Sequence, residues 1–361
     1  MANRLNGLSC VEKGEPGAGL EMLTIGSPTV ACGQSRILMF CRIIIVSLAM
    51  APISTAMGGE KSLKSAAAFK NPEPVKIEGL PHGFSSTPIS TEEPFLSRDG
   101  RFLFFNSAQS ENNKDLHYAE RIDNRWLYRR EMGPGVNSKK EVEGNPTMDR
   151  SNNFFYVDSG VEVMVRRARF STADGALCDV RDFEAMPRRE VKLFSQKVHG
   201  NMGVEVGADG HLIFFSRATW DMNGLKIGRI LASDILQIRR TGNQYTFDER
   251  EARRVLRHIN TDDLEYAASI SSDGLELFFT RLALSDIKPG TVRSGIYRTS
   301  RKTLIDPFGE SELIEAIGTN DFVEGPAISA DEQELYYHKR VGDKFRLYKV
   351  SRQLRRPPSG R

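Results

Sequence analysis

Carboxylates recur at intervals along the chain and are the side chains best suited to do chemistry. Six glutamates recur just before or at the start of a repeated segment: Glu92, Glu93, Glu143, Glu205, Glu265 and Glu324. If a circular fold gathers them at the mouth of one channel, they could hold a hard cation such as Ca²⁺, attract a cationic peptide, or act as the acid and base of a glycosidase. The alternative is that they are solvated or bind local backbone groups.

The repeated segment occurs five times. The copies are PFLSRDGRFLFFNS (94–107), PTMDRSNNFFYVDS (146–159), VEVGADGHLIFFS (204–216), ASISSDGLELFFTR (268–281) and PAISADEQELYYHK (326–339). Aligned on the central aspartate, they stand 52, 58, 64 and 58 residues apart. Such a spacing is typical of propellers and other repeat folds.

The centre of each copy has the chemistry of a tight turn. The residues concerned are Asp99, Gly100, Ser151, Asn152, Asp209, Gly210, Asp273, Gly274 and Asp331. Asp and Ser accept hydrogen bonds from backbone N–H groups two residues on, and Gly or Asn adopts positive φ. Five equivalent turns indicate a structural role, whereas catalysis would need one special aspartate. In the fifth copy Glu332 replaces glycine, which predicts a turn of a different type.

Strands are predicted on both sides of each turn. A short run rich in Phe, Tyr, Leu and Ile follows it, and further strands such as 115–121 and 295–301 come later. Four strands in each repeat of about 55 residues form the blade of a β-propeller. The sequence therefore predicts an all-β propeller of four-stranded antiparallel blades. Five blades are expected, or six if the leader and the longer region at 164–200 supply one. A strand from about 75–90 is expected to close the ring.

The pattern P-x-x-S-x-D-G-x-x-L-x-F, with a later L-Y-x-x-x-R, resembles the WD40-like β-propeller repeats of the TolB type over about 90–352. This resemblance implies an exported propeller that acts as a binding or scaffolding module without catalysis. The alternative is a carbohydrate-active, glycoside hydrolase-like propeller that uses the glutamates. The sequence contains no nucleophile elbow, H-E-x-x-H, Walker loop or dinucleotide fingerprint.

The chain begins with a predicted leader over 1–57. An apolar core at 43–51 follows Arg42 and precedes small residues, which is the pattern of a signal peptide over about 39–56, with Met39 as an alternative start. An uncleaved anchor is the other interpretation. A linker is predicted for 58–80, the propeller for 81–352 and a basic disordered tail for 353–361. The predicted location is periplasmic or secreted.

The partners expected from these features are an envelope or extracellular protein, or a glycan. A net charge of +3 gives no reason to expect nucleic-acid binding. Membrane contact is expected only transiently, through the signal segment. The predicted protein is a monomer that needs no cofactor, with Ca²⁺ as the one ion its glutamates could hold.

Overall fold

The computed structural model describes residues 68–82, 88–110, 113–133, 135–138, 141–159, 163–188, 190–192, 196–223, 226–287 and 292–352. The predicted leader and signal peptide, the first part of the predicted linker and the basic tail lie outside the described residues. No helix among the described residues has the length and apolar character needed to cross a membrane.

Nearly all the regular structure is β-strand. The strands are β1 (Lys70–Pro74), β2 (Ile77–Glu78), β3 (Glu92–Leu96), β4 (Phe102–Ser110), β5 (Asn113–Ile122), β6 (Arg125–Glu131), β7 (Glu143–Met148), β8 (Asn153–Ser159), β9 (Val163–Phe170), β10 (Leu177–Asp182), β11 (Glu190–Lys192), β12 (Lys197–Val206), β13 (Leu212–Asn223), β14 (Lys226–Thr241), β15 (Gln244–Thr246), β16 (Leu264–Ile270), β17 (Glu276–Leu282), β18 (Gly295–Ser300), β19 (Glu312–Leu313), β20 (Val323–Ile328), β21 (Glu334–Val341) and β22 (Lys344–Ser351). A short helix, α1 (Glu249–Val255), and a 3-10 turn, Leu284–Asp286, complete the elements.

Consecutive antiparallel strands pair into groups of four, as in the blades of a β-propeller. Group 1 is β3–β6, group 2 is β7–β10, group 3 is β12–β15, group 4 is β16–β19, and group 5 is β20–β22 with β1. A parallel contact between β14 and β16 joins groups 3 and 4, together with β11 paired to β12, into one nine-stranded sheet. The all-β propeller predicted from the sequence is therefore present, while five remains the predicted number of blades.

The apolar core consists of five clusters, and each cluster lies between two neighbouring groups. The last of them joins group 5 back to group 1. Paired phenylalanines on the second strand of a group supply both sides, because successive side chains of a strand point to opposite faces. Phe104 packs toward group 2 and Phe105 toward group 5. This closed ring of contacts supports the five-blade prediction.

The strand that closes group 5 is β1, which pairs antiparallel with β22. It lies upstream of the predicted closing strand at 75–90 and inside the predicted linker, so the linker prediction is wrong for 70–78. The segment KNPEP contains two prolines and lacks the alternation that marks a strand. An outer edge strand tolerates proline because its outward N–H groups need no partner in the sheet.

The predicted turn residues lie in the hairpins between the first and second strands. The Asp99 carboxylate accepts hydrogen bonds from the Ser97 hydroxyl and the Arg101 N–H, at 2.5 and 3.0 Å. Gly100 has a φ of 74°. Three further hairpins repeat this geometry. A backbone N–H two residues on donates to Asp209, Asp273 and Asp331. Gly210 and Gly274 have positive φ, as Gly100 does.

Two turns differ from expectation. At Ser151 and Asn152 the carboxylate comes from Asp149, which accepts hydrogen bonds from the N–H groups of Ser151 and Asn153. The prediction of a different turn at Glu332 is wrong, since Glu332 adopts a φ of 61° and keeps the geometry of the glycine copies. The surrounding hairpin outweighs the modest cost of positive φ for a residue with a Cβ.

Candidate functional site

The innermost strand of each group carries a bulge at the same level. The ladder between the first and second strands shifts register there in all five groups. In four groups the residue at this level has positive φ: Glu93, Asn145, Ala267 and Gly325, with values of 48, 54, 51 and 63°. A bulge redirects nearby side chains. All four residues line an opening at the centre of the propeller.

One end of this opening is polar, and we call it the axial mouth. It is lined by Glu93, Asn145, Met202, Ser216, Tyr266, Ala267, Glu324, Gly325 and His338. The space measures about 310 Å³, including volume open to solvent. Pro94, Pro146 and Pro326 line the adjoining space together with polar residues, among them Glu205 and Ser269.

Glu324 lies in the axial mouth as a hydrogen-bond acceptor. The Tyr266 hydroxyl donates to Oε1, and His338 Nε2 lies 3.2 Å from Oε2. Because the Glu93 backbone N–H donates to His338 Nδ1 at 3.0 Å, the proton of this imidazole must be on Nε2, from which it is donated to Glu324. Burial and the nearby Glu324 carboxylate raise the pKa of Tyr266 well above its ordinary value.

Glu93 is the second carboxylate of the mouth. Its Oε2 accepts a hydrogen bond from the Asn145 N–H at 2.7 Å, which links group 1 to group 2. A Cβ on Gly144 would lie only 2.7 Å from this oxygen, so a larger residue there would displace the carboxylate. The two mouth carboxylates therefore come from the first and last groups, on either side of the point where the ring closes.

Glu92 points away from the mouth and forms an ion pair. Its Oε2 lies 2.6 Å from Lys114 Nζ, and its Oε1 accepts a hydrogen bond from Ser90 at 3.1 Å. Burial lowers the pKa of Lys114, but the carboxylates of Glu93, Glu92 and Glu324 outweigh that effect and raise it. Lys114 is thus a permanent cation beside the mouth.

Glu205 lies at the opposite end of the opening, where it joins four groups. Its carboxylate accepts hydrogen bonds from Arg98 of group 1 at 3.1 Å, Thr147 of group 2 at 2.6 Å and the Ile270 N–H of group 4 at 3.1 Å. The side chains of Arg98 and Glu205 are 3% and 4% exposed. Burial raises the pKa of Glu205 and Arg98 opposes the shift. This pair fills the turn end of the opening with structural contacts.

The last two predicted glutamates are buried within their own groups. Glu265 is fully buried, 2.7 Å from Arg281 Nε, and it accepts a hydrogen bond from Thr261 Oγ1 at 2.6 Å. Glu143 is 1% exposed and accepts a hydrogen bond from the Ser138 N–H at 3.1 Å. Burial, together with Asp158, raises the pKa of Glu143.

A group of oxygen ligands close enough for a metal ion lies in group 2. Ligand atoms of Glu141, Glu143 and Asp158 lie within 4.8 Å of one another. Arg166 Nε, however, lies 3.0 Å from the Asp158 carboxylate and already supplies a positive charge. This group is distinct from the axial mouth and does not form the predicted ring of six ligands.

The predicted set of six is therefore divided by strand geometry. Relative to the aligned turn position, Glu143 and Glu265 stand eight residues earlier, Glu92 and Glu324 seven, Glu93 six and Glu205 four. Side chains one residue apart on a strand point to opposite faces, and the bulge adds a further change of direction. Glu92 and Glu324 share one position and are separated by their partners, since Glu92 pairs with Lys114 and Glu324 with Tyr266 and His338. Of the six, only Glu93 and Glu324 contribute carboxylates to the mouth.

Sequence reasoning missed Tyr266 and His338, although one signal could have found His338. Glu324 and His338 stand seven residues before and after Asp331, so a hairpin centred on that turn places them opposite each other. The same symmetry pairs Glu265 with Arg281 around Asp273. Partners of buried glutamates can thus be read from the opposite arm of each hairpin.

No protein-family model and no curated protein sequence matches the chain. A solved glycoside hydrolase structure is 9% identical with a TM-score of 0.50, covering 81% of this chain and 94% of that one. The catalytic domain of the Coprinopsis cinerea GH62 α-L-arabinofuranosidase is 12% identical with a TM-score of 0.49, and the match covers 81% of this chain and 98% of that one. TolB from Acinetobacter baumannii is 11% identical with a TM-score of 0.40, and the match covers 74% of this chain. It covers 56% of the TolB structure, so this chain spans little more than half of it. At such identities the similarity shows the fold alone, which is a β-propeller.

Proposed function

We propose that this protein is a binding propeller without catalytic activity and that its ligand is held at the axial mouth. The observation that carries the proposal is the state of the two mouth carboxylates. Both act as hydrogen-bond acceptors, Glu93 from the Asn145 N–H and Glu324 from Tyr266 and His338. Fixed acceptors in a small central opening suit the recognition of a donor group.

The pKa shifts at the mouth also favour binding over catalysis. A general acid or base works best when its pKa lies near the working pH. Lys114 and Tyr266 are shifted upward, away from neutrality. Both therefore keep their protons at neutral pH and supply neither a base nor a readily released proton.

The partner that suits this proposal is the one expected from the sequence, an envelope or extracellular protein. The opening measures about 310 Å³ even with volume open to solvent included, so its enclosed part is smaller than ordinary ligand pockets of roughly 300–1,000 Å³. A single side chain or chain terminus of a partner fits that space better than an oligosaccharide. Export of the chain and its periplasmic or extracellular location belong to the same proposal.

The test is capture of a partner from an envelope extract by the purified protein and its variants. In Glu93→Gln the remaining amide oxygen can still accept from the Asn145 N–H, so the fold is preserved while the charge is lost. Glu315→Gln, at an exposed position, is the matched control. We expect the control to retain the partner and Glu93→Gln to lose it. Equal capture by both variants would refute the mouth as the recognition point.

The second candidate is a glycoside hydrolase, favoured by the position of two carboxylates in one opening. In such enzymes the acid and its partner carboxylate stand roughly 5–9 Å apart across the scissile bond. A panel of plant and bacterial glycans would be incubated with the protein and with Glu324→Gln. Turnover by the wild type that disappears in the variant would establish this candidate and exclude the non-catalytic proposal.

A further inference from the structure

We propose that the axial mouth binds a basic side chain, a guanidinium or ammonium group presented by a partner protein. The inference rests on the proposed function and names the chemistry of its ligand. The mouth and its immediate surroundings contain three carboxylates, those of Glu92, Glu93 and Glu324, and a single ammonium group, that of Lys114. This excess of negative charge calls for a further cation.

One ammonium group stands against the three carboxylates, so negative charge is left unmatched. Lys114 Nζ forms its ion pair with Glu92 at 2.6 Å, and the charges of Glu93 and Glu324 act on it as well. Among the described residues, no lysine or arginine forms an ion pair with Glu93 or Glu324. The imidazole of His338 is neutral when its Nδ1 accepts from the Glu93 N–H, so it contributes a hydrogen bond to Glu324 but no charge.

Glu93 is held in the mouth at an energetic cost. Its φ of 48° lies in the left-handed region, where the corresponding residues of the other groups include Asn145, Ala267 and Gly325. A left-handed conformation is unfavourable for a residue with a Cβ. Strain of this kind is commonly found at binding sites, where the surrounding structure maintains it. The carboxylate lies over Gly144, where a Cβ would come within 2.7 Å of its Oε2.

A second and independent observation is the amide of Asn106. This side chain is fully buried, and neither Nδ2 nor Oδ1 has a hydrogen-bond partner among the described residues. This amide and the Glu93 carboxylate both lie next to Gly144. A Cβ on that residue would come within 2.9 Å of Asn106 Nδ2 and within 2.7 Å of Glu93 Oε2, so the amide and the carboxylate are neighbours. A buried amide without partners is costly.

A guanidinium or ammonium group would satisfy the acceptors among these atoms, whereas Asn106 Nδ2, itself a donor, faces the neighbouring Glu93 carboxylate. Such a cation carries only donors, and the Glu93 carboxylate, the Glu324 carboxylate and the Asn106 Oδ1 are acceptors. The prolines that line the adjoining space provide apolar surface for the aliphatic stem of the side chain.

The experiment is titration calorimetry with N-acetyl-arginine amide and N-acetyl-lysine amide as probes. N-acetyl-citrulline amide, which has nearly the shape of the arginine probe but no charge, is the neutral control. We expect at least one basic probe to bind wild type and Glu315→Gln alike, and citrulline to bind about tenfold more weakly. We expect Glu93→Gln to weaken the basic probe by about tenfold, and higher ionic strength to weaken it further.

Equal binding of the arginine and citrulline probes would overturn the inference, as would basic-probe binding that Glu93→Gln leaves unchanged. Binding of Ca²⁺ at the mouth in place of both basic probes would also overturn it. If an envelope partner is captured through the mouth but neither basic probe competes with it, the proposed function stands and this inference fails. Melting curves of both variants establish that the fold is intact in each comparison.

Discussion

At the scale of the residue, His117 links burial to the pH dependence of stability. Its side chain is buried between Phe105 and Tyr128, and burial lowers its pKa to about 4. The unfolded chain, with an ordinary histidine pKa near 6.5, therefore binds more protons than the folded chain between these values. Stability is complete above pH 6.5 and falls as the pH drops toward 4, by about 3 kcal/mol from this residue.

The measurement is urea denaturation at several pH values between 4 and 7. We expect His117→Phe to flatten the pH dependence, even if loss of the hydrogen bond to Tyr128 lowers stability at all pH values. Arg340→Gln, which alters an exposed side chain that keeps its charge over this pH range, should leave the slope unchanged. An unchanged slope in His117→Phe would assign the pH dependence to other groups.

Single residues were also the least predictable part of the candidate site. The sequence identified Glu93 and Glu324, but it grouped them with four glutamates that the structure buries elsewhere. Sequence position gave their level along the propeller axis but not their direction, which depends on strand alternation and on the bulge. Tyr266 and His338 belong to no sequence motif. His338 faces Glu324 from the opposite arm of one hairpin, and Tyr266 reaches Glu324 from the neighbouring group.

At the scale of the element, the hairpin turns were predictable because their chemistry is local. Asp, Ser, Gly and Asn within five residues define the hydrogen bonds and the positive φ of each turn. The closing strand β1 was predicted a few residues too late, since its pairing with β22 depends on a contact between the two ends of the described chain. Local signals thus define turns and inner strands, whereas edge strands depend on long-range contacts.

The turn at Gly100 gives a prediction at this scale. Gly100 has a φ of 74°, and a Cβ there would meet no atom within 4 Å. Gly100→Ala should therefore lose about 1 kcal/mol of unfolding free energy through conformation alone. In the equivalent turn, Asn152→Gly should be nearly neutral, because Asn152 already adopts a φ of 62°. Chemical denaturation of both variants measures the difference, and equal losses would contradict this account of the repeated turn.

At the scale of the whole molecule, the ring closes through strand pairing and through Arg352. The Arg352 side chain, fully buried, forms a two-pronged ion pair with Glu276 of group 4, at 2.9 and 2.5 Å. Its Nε donates to the Glu332 carbonyl, and its guanidinium lies 4.7 Å from the centre of the Phe69 ring. One side chain at the end of β22 thus binds group 4, the last hairpin and the segment that precedes β1.

Loss of this contact should destabilise the entire propeller rather than one blade. Arg352→Gln removes a fully buried guanidinium and leaves the partly buried Glu276 carboxylate without its cation, which we expect to lower the unfolding free energy by about 3 kcal/mol. Arg340→Gln, at an exposed position, should change it by less than about 1 kcal/mol. Replacing Glu276 as well should recover part of the loss, since the orphaned charge is removed.

A single cooperative transition shifted to lower urea in Arg352→Gln would show that closure stabilises the ring as one unit. A separate early transition confined to part of the chain would show instead that group 5 unfolds independently.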